Sequence, residues 1–291
     1  MSGARLQVLL AAVFFGTTGT AQALGPAGTD PVGVGAARIL VGGALLVALA
    51  RGTLRGRWAP GPVIAAVAGV AVYQLAFFAA VADTGVAVGT IVALGSAPTL
   101  AGLFEWALER RPPEPRWAAA TPLACAGVTL LALSGGEASV SAPGIALAVT
   151  AGGSYAAYTL AAKRLLGAGH PPEAVMAVAF GLGAIVLLPA LAASGPAWLL
   201  KPDGIALAAF LGVIPTALAY ALFARGLRRL SAAETATLTL AEPLTAGVLG
   251  AVVLAEEMTG ASALGGGLVL AGLLALAVRL PVVATPERAT G

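Results

Sequence analysis

The chain has 291 residues, of which 59% are hydrophobic and 10% charged, and its mean hydropathy is +0.94. Soluble domains carry about 25% charged residues, so composition excludes an ordinary water-soluble enzyme, and the net charge of +3 suits anionic lipid headgroups rather than nucleic acid. The one cysteine, Cys125, excludes an intrachain disulfide and a thiol-rich metal site.

Ten apolar stretches follow in chain order: Leu6–Leu24, Val32–Ala50, Val63–Ala82, Val86–Leu108, Trp117–Ser134, Gly144–Ala162, Pro172–Ala193, Gly204–Phe223, Ala232–Ala255 and Ala261–Leu280. Each is close to the ~20 residues that cross a hydrocarbon core of about 30 Å. Backbone polar groups in lipid must be paired within the span, and none of these stretches alternates like a barrel strand, so each is predicted to be a helix. The first stretch, with Arg5 before it and Ala21-Gln22-Ala23 near its end, has the pattern of a cleavable secretory signal. Its counterpart in the second half of the chain favours retention as a helix.

The gaps alternate in charge. Of the 16 Lys and Arg, all but Arg38 and Lys201 sit at the termini or in every second gap. They are Arg5; Arg51, Arg55 and Arg57; Arg110, Arg111 and Arg116; Lys163 and Arg164; Arg225, Arg228 and Arg229; and Arg279 and Arg288. The other gaps hold Lys201 and the acids Asp30, Asp83, Glu137, Asp203, Glu256 and Glu257. This is the positive-inside pattern of a multi-pass protein with both termini in the cytoplasm. The excess of Arg over Lys and the abundance of Ala and Gly fit a GC-rich bacterium, and hence the bacterial inner membrane.

The chain also contains one unit twice. Thr90–Gly102 aligns without a gap with Thr235–Gly247, sharing Thr, Pro, Ala and Gly, with Pro98 opposite Pro243 and Ala97 opposite Glu242. Each segment lies in the fourth span of a five-span half. An odd number of spans per half makes the second copy enter the membrane from the other side. Such inverted repeats are a recurrent construction of secondary transporters. The expected fold is an all-α integral membrane protein of ten transmembrane helices, arranged as two inverted-topology five-helix repeats. Residues 1–136 form the first repeat and 137–291 the second, with a short C-terminal tail. The halves are expected to be related by a pseudo-two-fold axis in the membrane plane, with the spans of Pro98 and Pro243 both lining a central cavity and the two prolines as hinges.

Several residue runs carry a family resemblance. In the first half they are Tyr73–Phe78, Thr84-Gly85-Val86-Ala87, Pro98 and Leu108-Glu109-Arg110. In the second they are Thr216–Tyr220, Leu230-Ser231-Ala232-Ala233, Glu242-Pro243, Leu254–Glu257 and the Gly-rich last span. Over nearly its full length the chain resembles the EamA-type transporters of the drug/metabolite transporter superfamily. Arg38 matches an arginine that the family often has. Glu109 lies two residues closer to its proline than the family pattern, and Ala97 departs from the acid found in the other half. The resemblance implies a secondary transporter that moves a small metabolite, such as an amino acid or amine, by alternating access. Export is the expected direction and protons the candidate coupling ion. No cofactor is implied, and the protein would be a monomer or homodimer.

Glu242 is the sharpest site candidate. A carboxylate in mid-span costs at least about 2.5–3.5 kcal/mol on insertion scales, so it must face protein or a water-filled cavity. Pro243 removes a backbone donor beside it. The pair suits a cationic group or a proton, although a neutral Glu242 bonded to a neighbouring helix would also satisfy the chemistry. Arg38 lies inside its span from the external end. It is a candidate partner for a substrate carboxylate or for Glu242, or an anchor that snorkels to the interface. Helical spacing puts Tyr73 with Phe77, Gln74 with Phe78, Thr216 with Tyr220, and Tyr155 with Tyr158 on shared faces. Apolar cavities with a few placed polar groups are built this way, as are ordinary packing faces and interfacial belts. Thr235, Thr237 and Thr239 do not share one face, and their hydroxyls are expected on backbone carbonyls. Gly265, Gly266, Gly267 and Gly272 are expected to permit close helix packing, and Glu109, Glu256 and Glu257 to be solvated span ends.

Two other classes compete. An intramembrane enzyme is disfavoured because His170, the one histidine, sits in a gap and no metal, phosphate or nucleophile motif is present. A non-transporting membrane component is disfavoured because ten spans leave almost no soluble portion.

Overall fold

A computed structural model describes residues 2–110, 112–133, 141–255 and 258–277. The expectations for Arg111, Glu137, Glu256, Glu257, Arg279 and Arg288 fall outside the described residues. Among the described residues the chain forms ten helices in succession. They are α1 Gly3–Ala23, α2 Pro31–Leu49, α3 Pro60–Gly85, α4 Val88–Glu109, α5 Pro115–Leu133, α6 Ala142–Gly167, α7 Pro172–Ala193, α8 Pro202–Leu227, α9 Ala232–Val253 and α10 Gly260–Ala277. A short 3₁₀ turn, Pro196–Leu200, precedes α8. Among the described residues, eight of these helices are long and apolar enough to cross a membrane. The other two are α5 and α10, the latter with a shorter apolar run over Gly260–Leu276.

Local chemistry sets the helix starts. Asp30 accepts from the Gly33 amide at 2.8 Å and precedes Pro31 in the first turn of α2. Ser2, Ser141 and Ser231 cap α1, α6 and α9 in the same way. A short polar side chain at the cap and proline in the first turn satisfy or remove donors that the helix cannot use. Between α3 and α4 no long loop intervenes, and the chain turns back so sharply that a Cβ on Gly89 would lie 3.0 Å from Val81 Cγ2. It breaks at Gly85, whose φ of 80° and ψ of 162° are open to glycine and strained for any other residue. The predicted boundary between the third and fourth spans falls there.

Small residues line several helix contacts, and many large apolar residues face outward, although Phe180, Phe223, Leu46 and Leu211 are buried in the core. Leu49, Ile64, Ile185, Val252 and Leu264 are all exposed, whereas the contacts between helices run over glycine and alanine. A Cβ on Gly127 would lie 2.5 Å from the Val269 amide nitrogen, and one on Gly43 would lie 2.7 Å from the Phe180 carbonyl. Lipid is as apolar as leucine, so close backbone approach replaces the hydrophobic effect as the source of cohesion.

Packing follows the repeat. The first helix, α1, lies against α8 and α9, while its counterpart α6 lies against α3 and α4. Helices α2 and α7 pair with each other, as do α5 and α10. Exchanging the two halves leaves this list unchanged. Both α4 and α9 end near a residue in the left-handed region, Arg110 at φ 57° and Ala255 at φ 56°, which occupy equivalent positions in the Pro98/Pro243 alignment. The halves therefore share helix order, partners and one unusual backbone conformation.

Candidate functional site

The site lies where α2, α3, α6, α7 and α8 meet. A small cavity there is lined by Arg38 and Ile39 of α2, Gly69, Val70, Tyr73 and Gln74 of α3, Tyr155 and Tyr158 of α6, Phe180 of α7 and Tyr220 of α8. Six of the residues singled out in the sequence (Arg38, Tyr73, Gln74, Tyr155, Tyr158 and Tyr220) thus converge on one space. Its free volume is about 10 Å³, enough for about one water.

Aromatic rings form most of the wall. Tyr220 sits 4.1 Å from Phe180 and 4.8 Å from Phe15, centroid to centroid. Tyr73 lies 6.0 Å from Tyr155, which lies 6.2 Å from Tyr158. Phe77 stacks on Tyr73 at 5.7 Å, behind the ring that borders the cavity. The Tyr155 hydroxyl donates to Thr239 Oγ1 at 3.3 Å, and the Tyr158 hydroxyl to Met176 Sδ at 3.1 Å. A Cβ on Gly69 would lie 2.7 Å from that of Tyr158, so glycine at 69 lets the Tyr158 ring approach α3.

Polar groups are few. Arg38 Nη2 donates to Gln74 Oε1 at 3.2 Å, which fixes the amide so that Gln74 Nε2 is its other end. Arg38 Nε and Gln74 Nε2 are buried without a hydrogen-bond partner. Buried donors are seldom left so, and an acceptor brought into the cavity could use them. Glu242 is half-buried near the same space, within electrostatic reach of Arg38, Tyr73, Tyr155 and Tyr220. It forms no ion pair with Arg38. Arg38 therefore borders the aromatic chamber, and Glu242, which does not line it, stands within electrostatic reach with no ion pair between them.

The two prolines behave differently. Helix α9 is interrupted at Thr239 and Leu240, just before Glu242 and Pro243. The Thr239 carbonyl, which has no α-helical donor because residue 243 is proline, accepts from the Glu242 amide at 2.9 Å. Helix α4 runs through Pro98 without interruption, and Pro98 is buried. Neither proline borders the cavity, and neither α4 nor α9 contributes a residue to its lining, contrary to the expectation that both spans line it.

Thr216 does not reach the cavity. Within α8 the segment Val213–Leu218 widens into a π-helix around Pro215. Proline has no amide hydrogen for the Leu211 carbonyl, and the Thr216 hydroxyl donates to that carbonyl at 2.8 Å instead. Its methyl fills the dent of Gly42, whose Cβ would lie 2.3 Å from Thr216 Cγ2. Thr235 and Thr237 also use their hydroxyls on backbone carbonyls one turn earlier. Sequence reasoning missed Phe15, Phe180 and Ile39, which carry no polar signal. Gly69 and Val70 were visible only as a pair placed before the aromatic run.

The comparisons bear on this geometry. The model of the EamA-like transporter family matches residues 3–133 and again 142–278. The chain belongs to this EamA-like transporter family. The double match covers both halves of the fold. Among EamA-like relatives, the chain is 43% identical over 274 residues to the "Uncharacterized transporter YwfM" of Bacillus subtilis (strain 168), covering 93% of this chain and 92% of that one. It is 37% identical over 181 residues to the "Threonine/homoserine exporter RhtA" of Salmonella typhimurium (strain LT2), covering 60% and 57%. A solved crystal structure superposes with a TM-score of 0.82 over 94% of this chain and 96% of the other, at 23% identity, which bears on the fold alone. The chain is thus an all-α, two-repeat membrane transporter.

Proposed function

We propose that the protein exports a small zwitterionic metabolite, of the amino acid class, across the bacterial inner membrane by alternating access. The observation that carries this reading is the pair Arg38 and Glu242. A guanidinium with an unpartnered Nε borders the aromatic chamber, and a carboxylate that forms no ion pair with it stands within its electrostatic reach. A zwitterion presents one group complementary to each, and the tyrosine rings suit its carbon skeleton. Charged groups at membrane depth are expensive, and a ligand that neutralises both offsets that cost. The relative named as a threonine/homoserine exporter supports the class and the direction. Space for about one water does not admit such a substrate, so the chamber opens when the two repeats move against each other, with Pro98 and Pro243 as the hinges. Protons are the coupling ion in this reading and Glu242 their carrier.

The test is flux. Purified protein in proteoliposomes is loaded with radiolabelled threonine, homoserine or their decarboxylated amines, with and without a pH gradient. Expected is flux of the amino acids, competition by other zwitterions, and weak competition by the amines. Loss of saturable flux in Arg38→Met would support the carboxylate contact. Equal handling of amines and amino acids would refute the zwitterion, and flux indifferent to the gradient would refute proton coupling.

A further inference from the structure

The segment Leu227–Glu234, which joins α8 to α9, is held by side chains from three other helices. Lys163 of α6 donates from Nζ to the carbonyls of Leu227 at 2.8 Å, Arg228 at 3.2 Å and Leu230 at 2.6 Å. Glu105 of α4 accepts from the first amides of α9, Ala232 N at 3.2 Å and Ala233 N at 3.0 Å. Arg5 of α1 donates from Nε to Glu234 Oε1 at 2.7 Å, with both side chains nearly buried. Glu105 and Arg5 belong to the first repeat and reach into the second. A carboxylate on helix-start amides and an ammonium on helix-end carbonyls each match the sign of the helix dipole there. All three are charge-assisted, the stronger kind of hydrogen bond.

The attachments lie on one face and, among the described residues, have no equivalent on the other. In the Pro98/Pro243 alignment Glu105 corresponds to Gly250, and Glu234 to Gly89. On the opposite face Ser141 of α6 donates to Asp83 of α3. Enclosure differs in the same sense. Every residue of Ala232–Ala241, the half of α9 that runs inward from the clamped segment, is buried, whereas of the matching Val88–Ser96 only Val88, Gly89 and Ala93 are. Symmetric packing alone would enclose both stretches alike.

We infer that Lys163, Glu105 and the Arg5–Glu234 pair form a latch that seals the chamber from the cation-bearing face, which the charge pattern assigns to the cytoplasm. The fold described here is the state closed on that side. Opening toward the cytoplasm requires the two contacts between repeats, Arg5–Glu234 and Glu105–α9, to break. Lys163 keeps the joining segment folded as one body while they do. The inference concerns gating and holds whatever the substrate is.

Thiol accessibility tests it without any substrate. Ala236, buried against Leu100, Phe104 and Tyr155, lies one turn inward of the latch. In a Cys125→Ser background, Ala236→Cys is exposed to a membrane-impermeant maleimide from each side in inside-out and right-side-out vesicles. Expected is slow labelling from the cytoplasmic side, made roughly tenfold faster by Glu105→Ala, the shift for losing a charge-assisted bond. Labelling from the external side should stay level or fall. The charge swap Arg5→Glu with Glu234→Arg should return the rate towards the parent value after either single change has raised it. If Glu105→Ala does not accumulate in the membrane, Glu234→Gln, which removes the charge that Arg5 meets, is read the same way, with Glu234→Asp restoring slow labelling. Unchanged cytoplasmic labelling in a monodisperse variant would overturn the latch, and so would an equal rise from both sides. A transporter with a different substrate would leave these rates untouched.

Discussion

Replacing Thr216 by valine separates a binding role from a structural one. Valine keeps the methyl that fills the Gly42 dent and removes only the hydroxyl that serves the Leu211 carbonyl. Side-chain hydrogen bonds in a membrane protein average about 0.6 and reach about 1.7 kcal/mol in double-mutant cycles. A buried carbonyl left without a partner costs about 1–3 kcal/mol. A loss of about 1 kcal/mol is therefore expected, seen as a fall of about 2–4 °C in apparent Tm. Thr216→Ser keeps the donor and loses the methyl, at about 0.5–1.5 kcal/mol for the packing lost when a buried methyl is deleted. Both groups are lost in Thr216→Ala, which should fall by roughly the sum, near 2 kcal/mol, if the two contacts are independent. Because the hydroxyl faces Leu211 and not the chamber, KM for the proposed amino acid substrate should stay within about twofold in Thr216→Val. Melting curves in detergent and saturation kinetics in proteoliposomes check both halves. A KM raised tenfold in Thr216→Val with normal values in Thr216→Ser would show that the hydroxyl meets the substrate, and the structural account would fail.

Glu242→Gln keeps shape and should keep the fold, yet it should abolish transport or its response to a pH gradient; normal, pH-responsive flux would remove Glu242 from the coupling step. In a Cys125→Ser background, cysteines at positions 55 and 228 should be labelled by an impermeant thiol reagent only from the cytoplasmic side, and one at 203 only from outside. Reversed labelling at 228 would break the ten-span topology. Gly127→Ala places a methyl 2.5 Å from Val269 N and 2.6 Å from the Gly265 carbonyl, so α5 and α10 must part at a cost of about 1–3 kcal/mol. A Cβ on Gly95 meets nothing within 4 Å, and Gly95→Ala should leave Tm level or raise it. Equal effects of the two glycine changes would mean that α5 and α10 do not pack as described.

The helices were legible in the sequence because the requirement behind them is local. A helix must be apolar for about 20 residues to cross lipid, and all ten predicted stretches lie within helices of the fold or overlap them closely. The break at Gly85 and the pairing of Pro98 with Pro243 were readable for the same reason. The aromatic chamber was half legible. Tyr73, Gln74, Tyr155, Tyr158 and Tyr220 stand out from apolar surroundings, whereas Phe15 and Phe180 look like any lipid-facing residue until neighbouring helices are in place. Thr216 shows the limit of face arguments. Spacing put it on the Tyr220 face, but the π-turn around Pro215 rotates the register, and the hydroxyl serves the backbone. Glu105 and Glu234 carried no signal at all. Their partners lie 127 and 229 positions away in sequence, and near a span end an acid with a distant partner reads the same as a solvated one.

The frame of the molecule is symmetric and its chemistry is not. Exchanging the halves preserves which helices touch, yet Glu242 stands opposite Ala97, Glu105 opposite Gly250 and Glu234 opposite Gly89. A strictly symmetric pair of repeats would have two end states of equal energy, one the mirror of the other across the membrane. Each asymmetric charge breaks that degeneracy. The latch stabilises one end state by bonds that the other cannot form. A substrate shifts such an equilibrium only by the difference in its affinity for the two states, so in the proposed export cycle amino acid binding from the cytoplasm must compete with latch closure. The carboxylate at 242 lies in the same helix that the latch holds, just beyond the interruption at Thr239 and Leu240. Protonation or substrate contact at Glu242 therefore acts on a helix whose half nearer the cation-bearing face is anchored by charge, with no such anchor among the described residues of its other half. That arrangement couples the occupant of the chamber to the gate through one broken helix, with no need for a longer path.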